Sequence, residues 1–251
     1  MLTDTEGIVL RQVKTSYGRR MILLFSRKYG KISAGTNIGD RGKSKSSLAL
    51  RPFTYGRYEL FKNRDNYNIN TAEVIKSYYK IGEDVDKYMS GAYVLEFTEK
   101  VLTEEVPAPG IFLLLNEFFE MLEKREKGIG TLVLAYQANV LKYMGVMPEL
   151  DRCVICGAKS EAAKFSIEDG GIICPNCAVN IENSQSQKLI YDVKFGIVDI
   201  LRFFTSNPLK NLEKLALKGD AGKLLQKIIR EYAAYHLDAS DLKSEELVDN
   251  K

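Results

Sequence analysis

All four cysteines of the chain lie between positions 153 and 177, as two Cys-x-x-Cys pairs with seventeen residues between them. The pairs are Cys153 with Cys156 and Cys174 with Cys177. This spacing is typical of structural zinc sites, in which each pair forms a tight turn that aims two thiolates at one point. Four thiolates close a tetrahedron around Zn²⁺ and leave no position for water. The sequence therefore predicts a structural zinc site that performs no Lewis-acid chemistry.

Three alternatives to zinc differ in what they require of the cysteines. A redox-active Cys-x-x-Cys motif requires one pair near a βαβ unit rather than two separated pairs. The spacing by itself does not exclude an iron–sulfur cluster, and four thiols without a metal are a further alternative. Zinc is favoured further because the segment is too small to have its own core, and a bound zinc ion would contribute folding free energy to it.

Residue types for catalysis are sparse in the rest of the chain. His236 is the only histidine, and it lies on or beside the apolar stripe of the last predicted helix, which favours packing over acid–base chemistry. Glu104–Glu105 and Glu245–Glu246 are consecutive acids, whose side chains point in different directions on a helix. The GKS of residues 42–44 resembles a phosphate-binding loop, but Asn37 stands where that motif requires glycine. We therefore expect no enzymatic activity, since a nuclease would also need a carboxylate cluster.

The charge of the chain is concentrated at its N-terminal end. The net charge is only +3, but residues 1–64 carry fourteen lysines and arginines against four acidic residues. The remaining residues carry 22 basic and 29 acidic side chains. A basic block on an otherwise acidic chain is attracted to a polyanion, so we expect the N-terminal part to contact nucleic acid.

Short apolar runs predict five strands before residue 79, in EGIVLRQV, RRMILLFS, KISAG, TYGRYELFK and NINTAEVI. Five short strands with tight turns favour a five-stranded OB-fold barrel. The segment GTNIGDRGKSKSSL, residues 35–48, interrupts the pattern with glycines, serines and cations, and is predicted to be a mobile basic loop.

The periodicity becomes helical after residue 79. A first helix is predicted over residues 84–102, and apolar stripes at 3.6-residue spacing predict four more, of which the first begins after the prolines at 107 and 109. The fold class is therefore α+β and multidomain. The expected organisation is an OB-fold domain over 1–79, a helical domain over 80–149 and 181–240, an inserted four-cysteine segment over 150–180, and a flexible tail over 241–251.

An OB barrel binds single strands through a basic groove that follows the phosphates and aromatic rings that stack on bases. Tyr29 is a further candidate for stacking, although packing in the barrel or a turn is the commoner role for any one tyrosine. Such binding should depend weakly on base sequence and fall steeply with salt. The predicted DNA-binding residues are Arg11, Lys14, Tyr17, Arg19, Arg20, Arg27, Lys28, Lys31, Arg41, Lys43, Lys45, Arg51, Tyr55, Arg57 and Tyr58.

Membrane and secretory features are not expected. The longest run without a charged residue, Gly128 to Leu141, is too short to span a bilayer. The first residues have no basic stretch followed by a long apolar stretch, as a secretory signal would have. We therefore expect a cytoplasmic protein, in which the thiols remain reduced and a disulfide framework is unfavourable.

Two stretches of the chain resemble parts of a known family. They are GIVLRQVKTSYGRRMILLFSRKYGKISAGTNIGDRGKSKSSLALRPFTYGRYELF and MGVMPELDRCVICGAKSEAAKFSIEDGGIICPNC. The first is similar to the N-terminal domain of the RecO family of bacterial recombination mediators, and the second is similar to the entry into its zinc segment. The similarity extends along the whole chain, with its features in the same order as in the family. One departure is that the first turn reads Tyr17-Gly18-Arg19-Arg20, whereas the family commonly has Tyr-Gly-Glu.

The resemblance implies a function that composition alone does not. It implies binding of single- and double-stranded DNA, annealing of complementary strands, and, with RecR, loading of RecA onto DNA coated by the single-stranded-DNA-binding protein SSB, whose acidic C-terminal tail is contacted. No nucleotide hydrolysis is implied, and a nucleoid-associated location would follow. Some family members lack the cysteines, which favours a structural role for zinc. The alternative is a zinc-ribbon protein that binds RNA or the ribosome.

Overall fold

The N-terminal part of the chain forms a closed five-stranded barrel in the computed structural model, which describes residues 1–14, 20–39, 45–63, 66–182, 189–194 and 196–244. Around the barrel the order is β1-β2-β3-β5-β4, and β1 pairs with β4 to close it. Only the β3–β5 pairing is parallel. This arrangement confirms the predicted OB fold. The strands are β1 (Leu2–Lys14), β2 (Arg20–Ser26), β3 (Gly30–Thr36), β4 (Thr54–Asn63) and β5 (Asn66–Ser77).

Strand β1 closes the barrel because it is long enough to pair with two neighbours. Its first half, from Leu2 to Ile8, pairs with β4, and its second half, from Gly7, pairs with β2. A register shift between Val9 and Arg11 lies within the β2 pairing, just after the β4 pairing ends at Ile8, and β-bulges at such positions bend strands in barrels.

The core of the barrel is formed by alternate residues of the strands. Val9, Ile22, Leu24 and Leu60 are buried there, and a short helix, α1 (Lys45–Ala49), closes one end. The prediction of one loop over residues 35–48 is therefore wrong at both ends. Gly35 and Thr36 belong to β3 and residues 45–48 to α1, while residues 40–44 lie outside the described part of the chain.

Two long helices pack on the outer face of the barrel within one compact unit, Met1–Lys124 with the described residues from Leu242 to Ser244. A 3-10 turn (Tyr79–Glu83) precedes α2 (Val85–Val101), and α3 (Pro109–Lys124) follows. Asp84 caps α2, since its Oδ1 accepts the backbone N–H groups of Asp86 and Lys87 at 2.9 and 3.0 Å. The ring of Phe112 on α3 lies 5.4 Å from Phe25 on β2, which fixes the helix against the barrel. The first two predicted helices are confirmed.

The C-terminal residues that the structure describes are docked rather than free. Leu242 and Ser244 are buried. The carboxylate of Glu96 on α2 accepts the backbone N–H groups of Lys243 and Ser244 at 2.9 and 2.8 Å, and also the Ser244 hydroxyl. The prediction of a flexible tail from residue 241 is thus corrected for Leu242–Ser244.

The second compact unit, Arg125–Asp241, is built around one buried helix. Helix α4 (Ile129–Tyr143) is buried from Thr131 to Leu141, as expected of a helix that is apolar on all sides. None of the helices in the described part of the chain is long and apolar enough to cross a membrane. The remaining elements are β6 (Lys164–Ser166), β7 (Gly171–Ile173), α5 (Pro175–Glu182), β8 (Ile190–Asp192), α6 (Ile197–Ser206), a 3-10 turn (Leu209–Leu212) and α7 (Gly219–Leu237).

The three short strands of this unit form a separate sheet in the order β7-β6-β8. The last two predicted helices are confirmed as α6 and α7. Tyr143 and Tyr235 follow the apolar spacing of α4 and α7, but both are exposed at the helix surfaces. The domain boundaries expected from the sequence stay a prediction.

Candidate metal centre and nucleic-acid interface

The first cysteine pair lies in a tight turn that follows α4. The N–H of Gly157 donates to the carbonyl of Cys153 at 2.8 Å, and the N–H of Cys153 donates to the carbonyl of Ala158 at 2.9 Å. Gly157 has φ = 73°, a left-handed conformation in which other residues are strained. The glycine after Cys156 therefore permits the turn that brings Cys153 and Cys156 together, as the sequence predicts.

The second cysteine pair lies at the start of a helix. Pro175 occupies the first position of α5, where its missing N–H costs nothing, and Cys177 follows in the first turn. The carbonyl of Cys174 accepts the N–H of Ala178 at 3.0 Å. The helix start thereby holds Cys174 and Cys177 on one side of the turn.

The four sulfurs converge on one point. The Sγ atoms of Cys153, Cys156, Cys174 and Cys177 all lie within 4.8 Å of one another. Those of Cys156 and Cys174 are 3.8 Å apart. A tetrahedral zinc ion with Zn–S bonds of about 2.3 Å requires sulfurs about 3.8 Å apart, so the four residues fit such an ion. The predicted metal site is confirmed as a four-cysteine cluster able to hold a metal.

The surroundings of the cluster favour the thiolate form of Cys153 but oppose deprotonation of all four cysteines together. Burial raises the pKa of Cys153, but backbone N–H groups of Cys174, Cys156 and Ile155 oppose this and bring it down to about 6. Hydrogen bonds with Cys174 and Cys156 raise the pKa of Cys177 to about 12. Negative charge can therefore spread to all four sulfurs only when a cation compensates it.

The cluster ties a small sheet to the rest of its unit. The N–H of Val154 donates to the carbonyl of Ile172 at 2.9 Å, which links the first cysteine turn to β7. Phe165 on β6 packs on Tyr232 of α7 with centroids 5.9 Å apart. His236 Nε2 lies 2.7 Å from the carbonyl oxygen of Ile167, and its ring is 4.1 Å from Tyr232. The sole histidine therefore packs and bonds at this junction, as the sequence favours.

Two of the predicted DNA-binding arginines are neutralised by acids. Arg11 donates to both carboxylate oxygens of Glu99, with Nη2 at 2.7 Å from Oε1 and Nε at 3.2 Å from Oε2. Arg27 Nη1 lies 2.9 Å from Oε2 of Glu6, and this hydrogen bond is the largest of the effects that lower the pKa of Glu6. Both arginines are accessible, but a phosphate would have to compete with a carboxylate for each.

Two other predicted residues serve the barrel itself. Tyr58 is completely buried, and its hydroxyl donates to the carbonyl of Ala49 at 2.6 Å. Its ring has no access to a base, so the prediction that Tyr58 stacks is corrected. Arg20 is also buried, with Nη1 at 3.1 Å from the carbonyl of Ile38 and Nη2 at 3.1 Å from Oε1 of Gln12. We therefore remove Arg20 from the expected phosphate contacts.

Three predicted cations are exposed and have no acidic partner among the residues that the structure describes: Lys28, Lys45 and Arg51. Lys28 lies 5.2 Å from the ring centre of Tyr29, and its Nζ is 3.2 Å from Thr3 Oγ1. Lys45 begins α1, and Arg51 follows that helix. These three side chains offer their charge to solvent without competition from a described carboxylate.

The remaining described members of the predicted set are less available. Lys31 donates to the carbonyl of Glu99 at 2.8 Å, and Arg57 is exposed but faces Glu6 across the β1–β4 pairing. Tyr55 is half-buried, with its ring 5.9 Å from that of Phe112. Among the described members of the set, Lys28, Lys45 and Arg51 are therefore the cations that are most available to a phosphate.

The other predicted residues cannot be placed. Tyr17, Arg19, Arg41 and Lys43 lie outside the described residues, and of Lys14 only the backbone pairing with Arg20 is described.

Sequence reasoning missed two exposed aromatic residues, Tyr79 and Tyr88, because they follow the last strand and were assigned to the helical part. The sequence around the two tyrosines has no strong pattern that indicates exposed rings. The charged Lys80 beside Tyr79 is the one local sign that this segment lies at the surface.

Comparison with known proteins identifies relatives along the whole chain. The family model described as "Recombination protein O N terminal" matches residues 1–78, and "Recombination protein O C terminal" matches residues 82–246. A protein of Alkaliphilus metalliredigens named "DNA repair protein RecO" is 30% identical over 250 residues, which is 98% of each chain. Proteins of the same name from Caldanaerobacter subterraneus and Bacillus pumilus are 28% and 33% identical, over 96% and 70% of this chain and 95% and 69% of theirs.

Proposed function

This chain belongs to the recombination protein O family, and on that premise we propose that it is a mediator of DNA repair and homologous recombination. In the proposed activity it binds single- and double-stranded DNA and anneals complementary strands. With RecR it helps to load RecA onto DNA coated by SSB, whose acidic C-terminal tail it contacts. It hydrolyses no nucleotide in this role, and it works in the cytoplasm at the nucleoid.

The observation that carries the proposal is the OB barrel with unpaired cations on its described surface. Lys28, Lys45 and Arg51 are exposed and lack a described acidic partner. Phosphate contacts of this kind give affinity without sequence preference, which suits a protein that must act on any broken DNA. The family match supports the same function.

We also propose that the metal held by the cysteines is zinc and that its role is structural. Four thiolates leave a zinc ion no open coordination position, so the ion supplies no catalysis. What it supplies is the closure of the cysteine segment on β7, which pairs with β6, the strand whose Phe165 packs on α7. In this proposal the ion stabilises the second unit and takes no part in contacts with DNA.

The test is annealing of two complementary labelled oligonucleotides, first bare and then coated with SSB, without ATP and across a salt series. We expect annealing that weakens steeply with salt. Changing Lys28, Lys45 and Arg51 together to glutamine should abolish most of it. The matched control changes three exposed lysines of the second unit, Lys214, Lys218 and Lys223, to glutamine and should anneal normally.

Two results would contradict this proposal. If the protein neither binds nor anneals DNA at low salt, the mediator function is wrong. If it binds structured RNA more tightly than single-stranded DNA and does not bind RecR, the alternative of a zinc-ribbon RNA- or ribosome-binding protein is favoured instead.

A further inference from the structure

A large cleft lies beside the barrel, wholly within the first compact unit. Helix α1, the end of β5, the 3-10 turn and the start of α2 enclose it, with a volume of about 1360 Å³. Pockets for small molecules typically measure ~300–1,000 Å³. The cleft therefore has room for a segment of a polymer rather than for one metabolite.

Two tyrosine rings line this cleft and remain exposed. Tyr79 and Tyr88 are 63% and 51% exposed, so both rings are accessible to a ligand in the cleft. The ring of Tyr88 is held at its edge by Phe53, with centroids 5.7 Å apart. Exposed aromatic faces on a packed support are the feature on which unpaired bases stack.

The floor of the cleft is fixed by an unusual backbone conformation. Phe53 has φ = 60°, a left-handed conformation that is strained for a bulky residue. It is retained because the ring packs on Phe119 with centroids 5.6 Å apart and fits over Gly91, where a Cβ would lie 2.8 Å from the ring. This packing fixes the ring of Phe53 as the support for Tyr88.

The rim of the cleft carries the unpaired cations described above, Lys45 and Arg51. Other arginines of the barrel, such as Arg11 and Arg27, are paired with carboxylates. Glu73 is the one acid among the described lining residues, and it forms no described ion pair with either cation. Two cations without a described acidic partner therefore line the same cleft as two exposed rings, which is the combination of charge and aromatic surface that a nucleotide chain requires.

We propose that this cleft holds a segment of single-stranded DNA, with bases stacked on Tyr79 and Tyr88 and phosphates at Lys45 and Arg51. The inference rests on the proposed function and adds to it a place for the strand. Duplex DNA does not fit the proposal, because its bases are already stacked on one another and present only their edges. The rings thus select the unpaired strand.

The sequence offers a direct test, because the chain contains no tryptophan. In Tyr79→Trp, the single indole reports from the cleft, and stacking on a base should quench its fluorescence. We expect an oligo(dT) strand to quench it strongly and a duplex of equal length to leave it unchanged. Tyr235→Trp, at an equally exposed position on α7 of the other unit, is the matched control and should not respond.

Two further variants test the separate roles of rings and cations. Tyr79→Ala should weaken binding of oligo(dT) about tenfold and leave duplex binding unchanged. Lys45→Gln combined with Arg51→Gln, in the Tyr79→Trp background, should weaken the quenching. It should also reduce the slope of log affinity against log salt by about 1.4, since each single-strand phosphate contact contributes about 0.7.

The outcomes separate this inference from the proposed function. If fluorescence anisotropy shows that Tyr79→Trp binds labelled oligo(dT) while its emission stays constant, the cleft is not the strand site, although the mediator function stands. Quenching by an acidic peptide and not by oligo(dT) would also overturn the inference. If no variant binds DNA at low salt and the far-ultraviolet circular dichroism shows a folded protein, both the inference and the proposed function are wrong.

Discussion

Arg11 on β1 and Glu99 on α2 form a bidentate ion pair, although 88 residues separate them in the chain. Nη2 of the arginine lies 2.7 Å from Oε1 of the carboxylate, and Nε lies 3.2 Å from Oε2. The arginine side chain remains 58% exposed. The pair therefore attaches α2 to the barrel. It also engages the charge of an arginine that the sequence predicts to contact DNA.

Glu99→Gln should increase DNA affinity, because it releases Arg11 for phosphate. Exposed ion pairs contribute ~0.2–1 kcal/mol, so the gain should be about 1.4-fold to fivefold at low salt. Binding of a labelled oligonucleotide across a salt series measures it. Glu161→Gln removes an exposed acid from the second unit and serves as the control. An equal gain in both variants would mean that only net charge matters and that Arg11 plays no special part.

Cys177→Ser should remove the bound metal and destabilise the second unit. The protein as purified should contain one zinc ion, and the variant should contain none by elemental analysis. We expect a loss of roughly 3 kcal/mol or more in the free energy of unfolding, because metal binding is coupled to folding of the segment. Chelation should reproduce this loss.

The matched control for the cysteine variant is Val179→Ser, which changes an exposed residue of the same helix without touching a ligand. It should keep the zinc and its stability. A fully stable Cys177→Ser without metal would contradict a structural role, and an iron-containing chromophore in the purified protein would contradict zinc.

The contact of Glu96 with the C-terminal residues should depend on pH. Burial raises the pKa of Glu96, but hydrogen bonds from the Ser244 hydroxyl and from the N–H groups of Ser244 and Lys243 outweigh it, so the pKa falls below its ordinary value of 4.5. A carboxyl with a lowered folded pKa stabilises the fold above its unfolded pKa. That contribution is lost as the pH falls through the folded value.

Glu96→Gln should therefore destabilise the first unit by roughly 1 kcal/mol at pH 7, and the difference should vanish in acid. Urea unfolding at pH 7 and below pH 4 measures this, and protection of the Ser244 amide from hydrogen exchange reports the contact locally. Glu83→Gln, an exposed acid of the same unit, should show no such effect. A difference that persists unchanged in acid would assign the effect to packing instead of charge.

Arg125 is a buried cation held by backbone carbonyls of its own unit. Its Nε donates to Lys127 and Gly128 at 2.9 and 3.1 Å, and Nη1 donates to Leu212 at 2.9 Å. Burial lowers its pKa. Arg125→Met should destabilise the protein by roughly 2–4 kcal/mol, because the carbonyls lose their donors while they remain buried. A decrease in the urea midpoint without a change in slope would show it.

Lys127→Met is the control for Arg125, since it removes the same charge from an exposed position two residues away. It should change stability by less than about 0.5 kcal/mol. Similar losses in both variants would mean that the local charge, and not the hydrogen bonds to carbonyls, stabilises this loop.

Elements with strong local signals could be predicted from the sequence. The Cys-x-x-Cys spacing, Gly157 and Pro175 determine their turns through backbone geometry within a few residues, so the metal cluster was predictable. The strands and helices followed from apolar periodicity in the same way, and so did the OB barrel from their number and length. Tyr58 could also have been placed inside, because it alternates with the outward-facing Arg57 and Glu59.

What only the tertiary structure decided is which of the basic and aromatic residues are available. Arg11 meets Glu99, Arg20 is buried against Ile38 and Gln12, and Tyr79 and Tyr88 line a cleft with Lys45 and Arg51, through contacts that join distant parts of the chain. Residue type and local period determine which side of a strand or helix a side chain occupies. The charge or ring that it meets there depends on how the barrel closes and which helix covers it, and a local pattern contains no information on either.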